Sequence, residues 1–552
     1  MLHTQNLNGE WEFHFTEKRL SEIDPSKISY ECKMPVPGCF DAKGPYRFLR
    51  GCGIYRRSVF CGGKVRLEIG ASGLRAKIFW DGKEIGFMGK PFTGESFLFD
   101  AGTRKNHELV IATENVFDRS ASSLFHPFYD FYAYGGIYRA VSITELTGAF
   151  FEYVRVTPLD LDAGTVVIHA EFGGETGEKK ELELCFDGGE CERITTDGKT
   201  ADIVRKVPAH RLWTPETPNL HTLHLGIGED EREIRFGMRK AGLRDGRITL
   251  NGETIKLIGF NRHDAHPDYG YAIPRELTRA DLERIRAKGY NFIRGCHYPQ
   301  SEAMLSICDE IGLLVWEESL GWGNSAESLR DPVFIRGQLE QTRQMVRKSV
   351  NHPCVILWGF LNEAETHEPC AKELVDALVR TIREEDSSRL VTFASNRIFR
   401  DVCLDSLDVV SFNTYPGWYG MQDAQQFPEQ EVLDALRAII RFVSDEKYRE
   451  KGVILSEIGA AALPGDHSGL RWSEEYQAEL LKTVLGEIWR EERWSGVAFW
   501  HFSDTKTYSD GRAIHRPRGF NNKGLVTEYR VPKLAWEALA EHLKKLKSSA
   551  ES

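Results

Sequence analysis

From Trp11 to Leu146 the chain runs in short β-rich stretches that mix apolar and polar residues and stop at turn residues: WEFHF, IYRRSVF, KVRLEIG, AKIFWDG, SFLFD, HELVIAT and YRAVSITEL. Strands of this length and spacing predict a sandwich or jelly roll, placed over 1–147. A second β-rich set begins near Phe150 with VRVTPLDL, TVVIHAEF, KELELCF, ADIVRKV, TLHLGI and REIRFGM. Its size and strand count predict an immunoglobulin-like sandwich over 148–242.

Beyond about 243 the rhythm changes to apolar strands separated by helical segments. The strand candidates are IKLIGF, NFIRGC, LLVWEE, VILWGF, LVTFAS, VVSFNTY, VILSEIG and GVAFWHF; RADLERIRAKG, EAMLSICDEIG and FIRGQLEQTRQMVRKSV are helix-like. This alternation predicts a (β/α)8 barrel over 243–552. The last residues, EHLKKLKSSAES, read as a charged tail.

Composition narrows the function classes. The 552 residues are 41% hydrophobic and 28% charged with 12 Trp, an ordinary globular makeup with ample core. A formal net charge of -11 argues against a nucleic-acid or anionic-membrane binder. The N-terminus MLHTQNLNGEWEFHF lacks a basic and apolar leader, so a cytoplasmic protein is expected. The 11 Cys are odd in number and have no CxxC pairing, so neither a disulfide framework nor a zinc site is expected; Cys296, Cys308 and Cys354 read as buried small hydrophobes. No cofactor or metal is called for.

Barrel enzymes place reactive groups at the C-terminal ends of strands. The fourth strand candidate, VILWGF, runs into Leu361, Asn362 and Glu363, and the seventh, VILS, ends in Glu457 with a glycine two residues on. A glycosidic bond needs an acid for the leaving oxygen and a carboxylate on the other face of the sugar, work that two rim glutamates can share. A strand-end glutamate also serves as a helix cap or an arginine partner, so spacing alone marks a candidate pair.

At these residues the chain resembles glycoside hydrolase family 2, the family of β-galactosidases, β-mannosidases and β-glucuronidases. The likeness spans nearly the whole chain: VPGCFD (36–41), YGGIYR (134–139), LWTPETPNL (212–220), GFNRHDAHPDYG (259–270), IRGCHYP (293–299), NHPCVILWGFLNE (351–363) and ILSEIG (454–459). It implies a jelly roll, an immunoglobulin-like domain and a catalytic barrel in that order. It also implies Glu363 as acid/base, Glu457 as nucleophile and Asn362 as a partner of the sugar 2-hydroxyl. The finer likeness is to β-glucuronidases: Asn521 and Lys523 in GFNNKG form an Asn-x-Lys pair after the eighth strand, suited to a uronate carboxylate. SFNTYPGWYG resembles the tyrosine loop of those enzymes, with Tyr415 at the nucleophile and Tyr419 at the uronate end. Asp130 would reach in from the jelly roll, His263 would donate to sugar oxygens, and His297 and Trp500 would wall the site. The substrates implied are terminal β-D-uronides, small or oligosaccharide, and a homodimer or homotetramer is the implied assembly.

Three departures qualify this reading. The stretch SLGWGNSAESLRDP after the third strand is short against relatives with a long lid, which predicts an open mouth with Trp322 as a candidate aglycone platform. Poorer processing of small drug-like glucuronides is the corollary. The arginines of IHRPRGF are shifted against the family pattern, and Arg330 and Arg336 are further candidate cations, so a β-D-galacturonide stands beside the β-D-glucuronide as an alternative. The chain stops soon after the barrel, so no module for attachment to surfaces or polymers is expected. Rival readings are a β-galactosidase or β-mannosidase, a carbohydrate-binding protein without activity, and a metal hydrolase using His263, Asp264 and His266.

Overall fold

The computed structural model describes residues 2–117, 130–174, 179–420, 425–507 and 516–551. The first unit pairs a six-stranded sheet with a four-stranded one. Trp11, Phe13, Tyr55, Leu67, Ile111 and Ile143 lie buried between them. The seven sequence-predicted runs all form strands here, joined by Thr4–Asn6, Cys32–Val36 and Lys83–Met88, which are too short or too polar to stand out in the chain.

The second unit packs a three-stranded sheet on a four-stranded one. One of its strands, Cys191–Thr196, escapes the sequence reading because its side chains are half-buried or exposed throughout. It pairs with Lys180–Phe186, and its first residue closes a Cys185–Cys191 disulfide across the register. The expectation of no disulfide framework did not foresee this one pair: the partners are six residues apart, joined by a tight hairpin rather than by a recognisable spacing motif.

The third unit is a closed barrel of eight parallel strands: Leu257–Arg262, Phe292–Gly295, Leu314–Glu318, Val355–Asn362, Leu390–Ser395, Val409–Asn413, Gly452–Ile458 and Gly496–Phe499. They coincide with the eight apolar runs, because strands covered on both faces need no polar side. A small sheet of Ala241–Arg244, Arg247–Leu250 and Glu253–Thr254 leads into the barrel, with Ile248 and Leu250 buried in its core. The C-terminal residues do not form a tail. Leu534–Glu551 is a helix that buries Trp536, Leu539 and Leu543, whose 3- and 4-residue spacing lines one face while the lysines cover the other.

An aromatic cluster joins the first unit to the barrel. Phe92, Phe131, Tyr132, Tyr134 and Tyr138 pack on Tyr271, Tyr298 and Leu320. Phe92 stacks on Tyr298 at 3.9 Å, and the Tyr271 hydroxyl donates to the Tyr132 carbonyl at 2.7 Å. Burial stabilises by roughly 1.5–3 kcal/mol per ring, so the joint is strong, and it fixes where the neighbouring Asp130 stands. Among the described residues no helix is long and apolar enough to cross a membrane.

Candidate active site

At the C-terminal end of the barrel lies a cavity of about 700 Å³ walled by Asp130, His297, Trp322, Glu363, Tyr415, Tyr419, Glu457, Trp500, Arg516 and Asn521, among others. Glu457 is buried and both its oxygens are engaged. Arg294 donates to Oε1 at 2.7 Å and the Tyr415 hydroxyl to Oε2 at 2.6 Å. Burial and the Glu457 carboxylate push the Tyr415 phenol well above its ordinary pKa, which keeps it a donor. Gly459 lets this strand end close on its neighbour, since a Cβ there would meet the Trp500 carbonyl oxygen at 2.2 Å.

Glu363 lies in a different environment. Asn413 donates to its Oε1 at 2.9 Å and Asn396 to its Oε2 at 3.0 Å, both neutral partners. Burial, with the charge of Glu457 added, raises its pKa to about 7, so it holds a proton near neutrality. The backbone around it is strained: Leu361 and Glu363 have φ of 47° and 52°. Such residues cost on the order of 1–3 kcal/mol each and are kept only where surroundings over-determine them. Here Asn362 N–H donates to Gly321 O at 2.8 Å, Gly323 N–H to Asn362 O at 2.7 Å, and Glu363 N–H to Ala394 O at 2.9 Å. The short loop after strand three thus clamps the end of strand four and presents Trp322 to the cavity.

Arg294 organises the floor. Fully buried, it donates to Glu318, Asn261, Glu457 and the Asn362 side-chain oxygen. Burial opposes its charge, but Glu318 and Glu457 outweigh that and hold its pKa above the ordinary value. Because Asn362 Oδ1 accepts from both Arg294 and Asn413, its Nδ2 is turned away, buried and without a hydrogen-bond partner among the described residues. His297 stacks on Trp500 at 5.2 Å and meets Glu318 at 2.9 Å; burial, reinforced by Arg294, lowers its pKa to about 3, so it is neutral.

Lys523 is buried, and its ammonium donates to the Tyr419 hydroxyl at 2.8 Å while lying over the rings of Tyr415, Trp418 and Tyr419. Among the described residues no carboxylate pairs with it. Burial lowers its pKa, and Tyr419 offsets only part of that. A buried Lys533–Asp504 pair at 2.8 Å anchors the loop beneath: Lys533 also donates to Asn522 O at 3.0 Å, and Asp504 accepts Gly524 N–H at 2.9 Å. Asn521 donates to Asp130 at 3.3 Å, and Arg516 grips the same carboxylate with Nε at 3.0 Å.

A sequence profile described as "Glycosyl hydrolases family 2, TIM barrel domain" matches 241–548, more than half of the chain, and "Glycosyl hydrolases family 2" matches 149–239. The chain belongs to glycosyl hydrolases family 2. This hydrolase is 27% identical to the β-glucuronidase of Canis lupus familiaris, over 98% of its own length and 91% of the relative's. It is 30% identical to the crystal structure of a family 2 β-galacturonidase from Eisenbergiella tayi bound to galacturonate, covering 99% and 97% of the two chains with a TM-score of 0.90. A Faecalibacterium prausnitzii β-glucuronidase at 24% identity, with 99% and 98% covered and a TM-score of 0.86, shares the fold.

The family 2 hydrolase brings most of the sequence-predicted residues to one cavity, with exceptions. His263, Asn362 and Lys523 are not on the cavity wall: Asn362 and Lys523 lie just behind it, bonded to the wall residues Asn413 and Tyr419, while His263 packs behind His297 and Trp500, its Nδ1 at 3.3 Å from Tyr298 and its Nε2 buried without a partner among the described residues. Arg330 and Arg336 are exposed and do not line the cavity, whereas Arg516 of the IHRPRGF segment does. His263, Asp264 and His266 do not converge: Arg262 holds Asp264 at 2.8 Å, and His266 Nδ1 accepts the Asp268 N–H. Arg294, Glu318 and Asn396 were not anticipated as site residues. For Arg294 and Glu318 a signal existed, a charge inside an otherwise apolar strand.

Proposed function

We propose that this glycosidase hydrolyses terminal β-D-uronides with retention of configuration, the β-D-glucuronide first. The observation that carries the reading is Lys523, a buried ammonium with a single hydrogen bond and no carboxylate among the described residues to neutralise it. A uronate supplies the missing charge, which a neutral hexose cannot do. The relatives named β-glucuronidase and β-galacturonidase take glycones that share this carboxylate, and the division into 1–147, 148–242 and 243–552 follows the same kinship.

Glu363, protonated near neutrality, gives its proton to the glycosidic oxygen as Glu457 attacks the anomeric carbon. The carbon–oxygen bond to the leaving group breaks and a glycosyl ester forms on Glu457. Glu363, now a carboxylate, takes a proton from water, whose oxygen displaces Glu457 and frees the sugar. Arg294 and Tyr415 suit the nucleophile role because they donate to its two oxygens and so fix both. The unpartnered Asn362 Nδ2 is a donor for the sugar 2-hydroxyl. Trp500 and neutral His297 offer a stacked wall; His263 would act only through them.

A β-D-galacturonide is the second reading, favoured by Arg516, which joins Asp130 and Tyr419 at the glycone end. Rates on 4-nitrophenyl β-D-glucuronide, β-D-galacturonide and β-D-glucoside decide between these. The proposal expects a uronide to lead and Lys523→Ala to cut its kcat/KM by at least about 10²-fold. A faster glucoside, with Lys523→Ala indifferent, would sink it. Retention expects the β-anomer as the first product in a time-resolved NMR spectrum; the α-anomer first would refute the covalent route.

A further inference from the structure

In the closed barrel, strand four lies across the mouth from strand eight. On the reading of Lys523 above, the sugar carboxylate sits over the loop after strand eight and the glycosidic oxygen faces Glu363 at the end of strand four. The leaving group therefore emerges over the loops that follow strands three to five. Trp322 and Asn396 line the cavity there. Directly after Asn396 comes Arg397, half-buried, its Nε shielded from solvent and without a hydrogen-bond partner.

The backbone of this arginine is held in place. Its N–H donates to Ser395 Oγ at 3.1 Å, and its carbonyl accepts the Arg400 N–H at 2.8 Å. Asp401, the acid of the same loop, is committed elsewhere: Oδ2 takes the Ser395 and Thr366 hydroxyls at 2.5 Å each, and Oδ1 takes the Cys403 N–H at 2.9 Å. Among the described residues the Arg397 guanidinium makes no ion pair, although the chain carries a net charge of -11. Its charge reaches Glu363, whose carboxylate it favours against burial. A half-buried guanidinium that has no counter-ion among the described residues and whose charge reaches the acid/base candidate is suited to an external anion, which its planar fork can take bidentately.

We propose that Arg397, with Trp322 as the opposing apolar wall, forms a leaving-group subsite for an anionic aglycone, a carboxylate or sulfate on the sugar next to the cleaved uronide. The substrate class is then the non-reducing end of an acidic glycan, with charge recognised on both sides of the scissile bond. Trp322 would stack on the apolar face of that second sugar.

The test is a comparison of ratios. kcat/KM is measured on two aryl uronides of matched leaving-group acidity, one with a carboxylate and one with a carboxamide on the ring, for wild type, Arg397→Gln, Arg397→Lys and Arg330→Gln. Wild type should favour the carboxylate, and Arg397→Gln should lose about tenfold more on the carboxylate than on the carboxamide, chiefly through KM. Arg397→Lys should recover part of the preference, and Arg330→Gln, which removes a distant charge, should keep the wild-type ratio. A uronyl disaccharide with a reducing-end carboxylate, compared with its methyl ester, repeats the test for a sugar anion; larger discrimination there than in the aryl pair assigns the subsite to glycans. Equal losses on both aryl substrates, or a wild type indifferent to aglycone charge, overturn the inference. If only neutral glycosides are turned over, the Lys523 reading fails, and the same aglycone pair on that glycone still decides Arg397.

Discussion

Carboxylates and guanidiniums occur both on the four-stranded sheet of the immunoglobulin-like unit and at the barrel mouth, and the two regions use them in opposite ways. On the sheet, Glu183 meets Arg193 at 3.2 Å with side chains 48% and 74% exposed, and His224 faces Glu233. Strand alternation puts these charges outward, where water screens them and solubility is their main return. At the mouth, Arg294 and Glu318 are 0% and 1% exposed, and each donor or acceptor is matched by a chosen partner. The contrast shows that residue type says little about work done; burial and the number of fixed partners decide it.

Substitutions at the mouth should be severe and those on the sheet nearly silent. The largest effect is expected for Glu457→Ala, a fall in kcat/KM of about 10⁴-fold or more with an unchanged circular dichroism spectrum. Activity within tenfold of wild type would remove Glu457 from the chemistry. Next comes Arg294→Met, which strands Glu318 and Glu457 as buried charges and should cost about 3–5 kcal/mol in denaturant unfolding of the barrel. A smaller effect appears in the pH profile. The Glu363 pKa is raised to about 7 and in the proposed mechanism the protonated form is the acid, so kcat/KM should fall as pH climbs through that value, about tenfold per unit beyond it. In Glu363→Gln, assayed on a 4-nitrophenyl substrate, that alkaline limb should vanish. Least of all, Arg193→Ala on the sheet should shift stability by no more than about 0.5 kcal/mol; a loss near that of Arg294→Met would break the comparison.

The same contrast explains what could be read from the chain. The eight barrel strands were legible because burial on both faces writes itself as unbroken apolar runs. Cys191–Thr196 was not, since an edge strand with exposed side chains looks like a loop, and with it went the Cys185–Cys191 bridge. The terminal helix hid behind its lysines, although Trp536, Leu539 and Leu543 already had helical spacing. In the site, Glu363 and Glu457 stand out by their place at strand ends, and Asn521 and Lys523 by a recognisable motif after the last strand. Arg516 shows only as one of the shifted arginines of IHRPRGF, since the Asp130 it holds is 386 residues away, and Arg397 not at all, since its guanidinium finds no partner among the described residues.

The aromatic joint between the first sandwich and the barrel carries a consequence for how this enzyme can fail. Asp130 belongs to one unit, while Arg516 and Asn521, which hold it, belong to the other. With Asp130 in the sugar-binding role implied for it, catalytic competence becomes a property of registration between two bodies rather than of either alone. A lesion among Phe92, Tyr134, Tyr271 and Tyr298 could leave both units folded and still silence the enzyme, so turnover is a finer gauge of their alignment than any spectroscopic measure of folding.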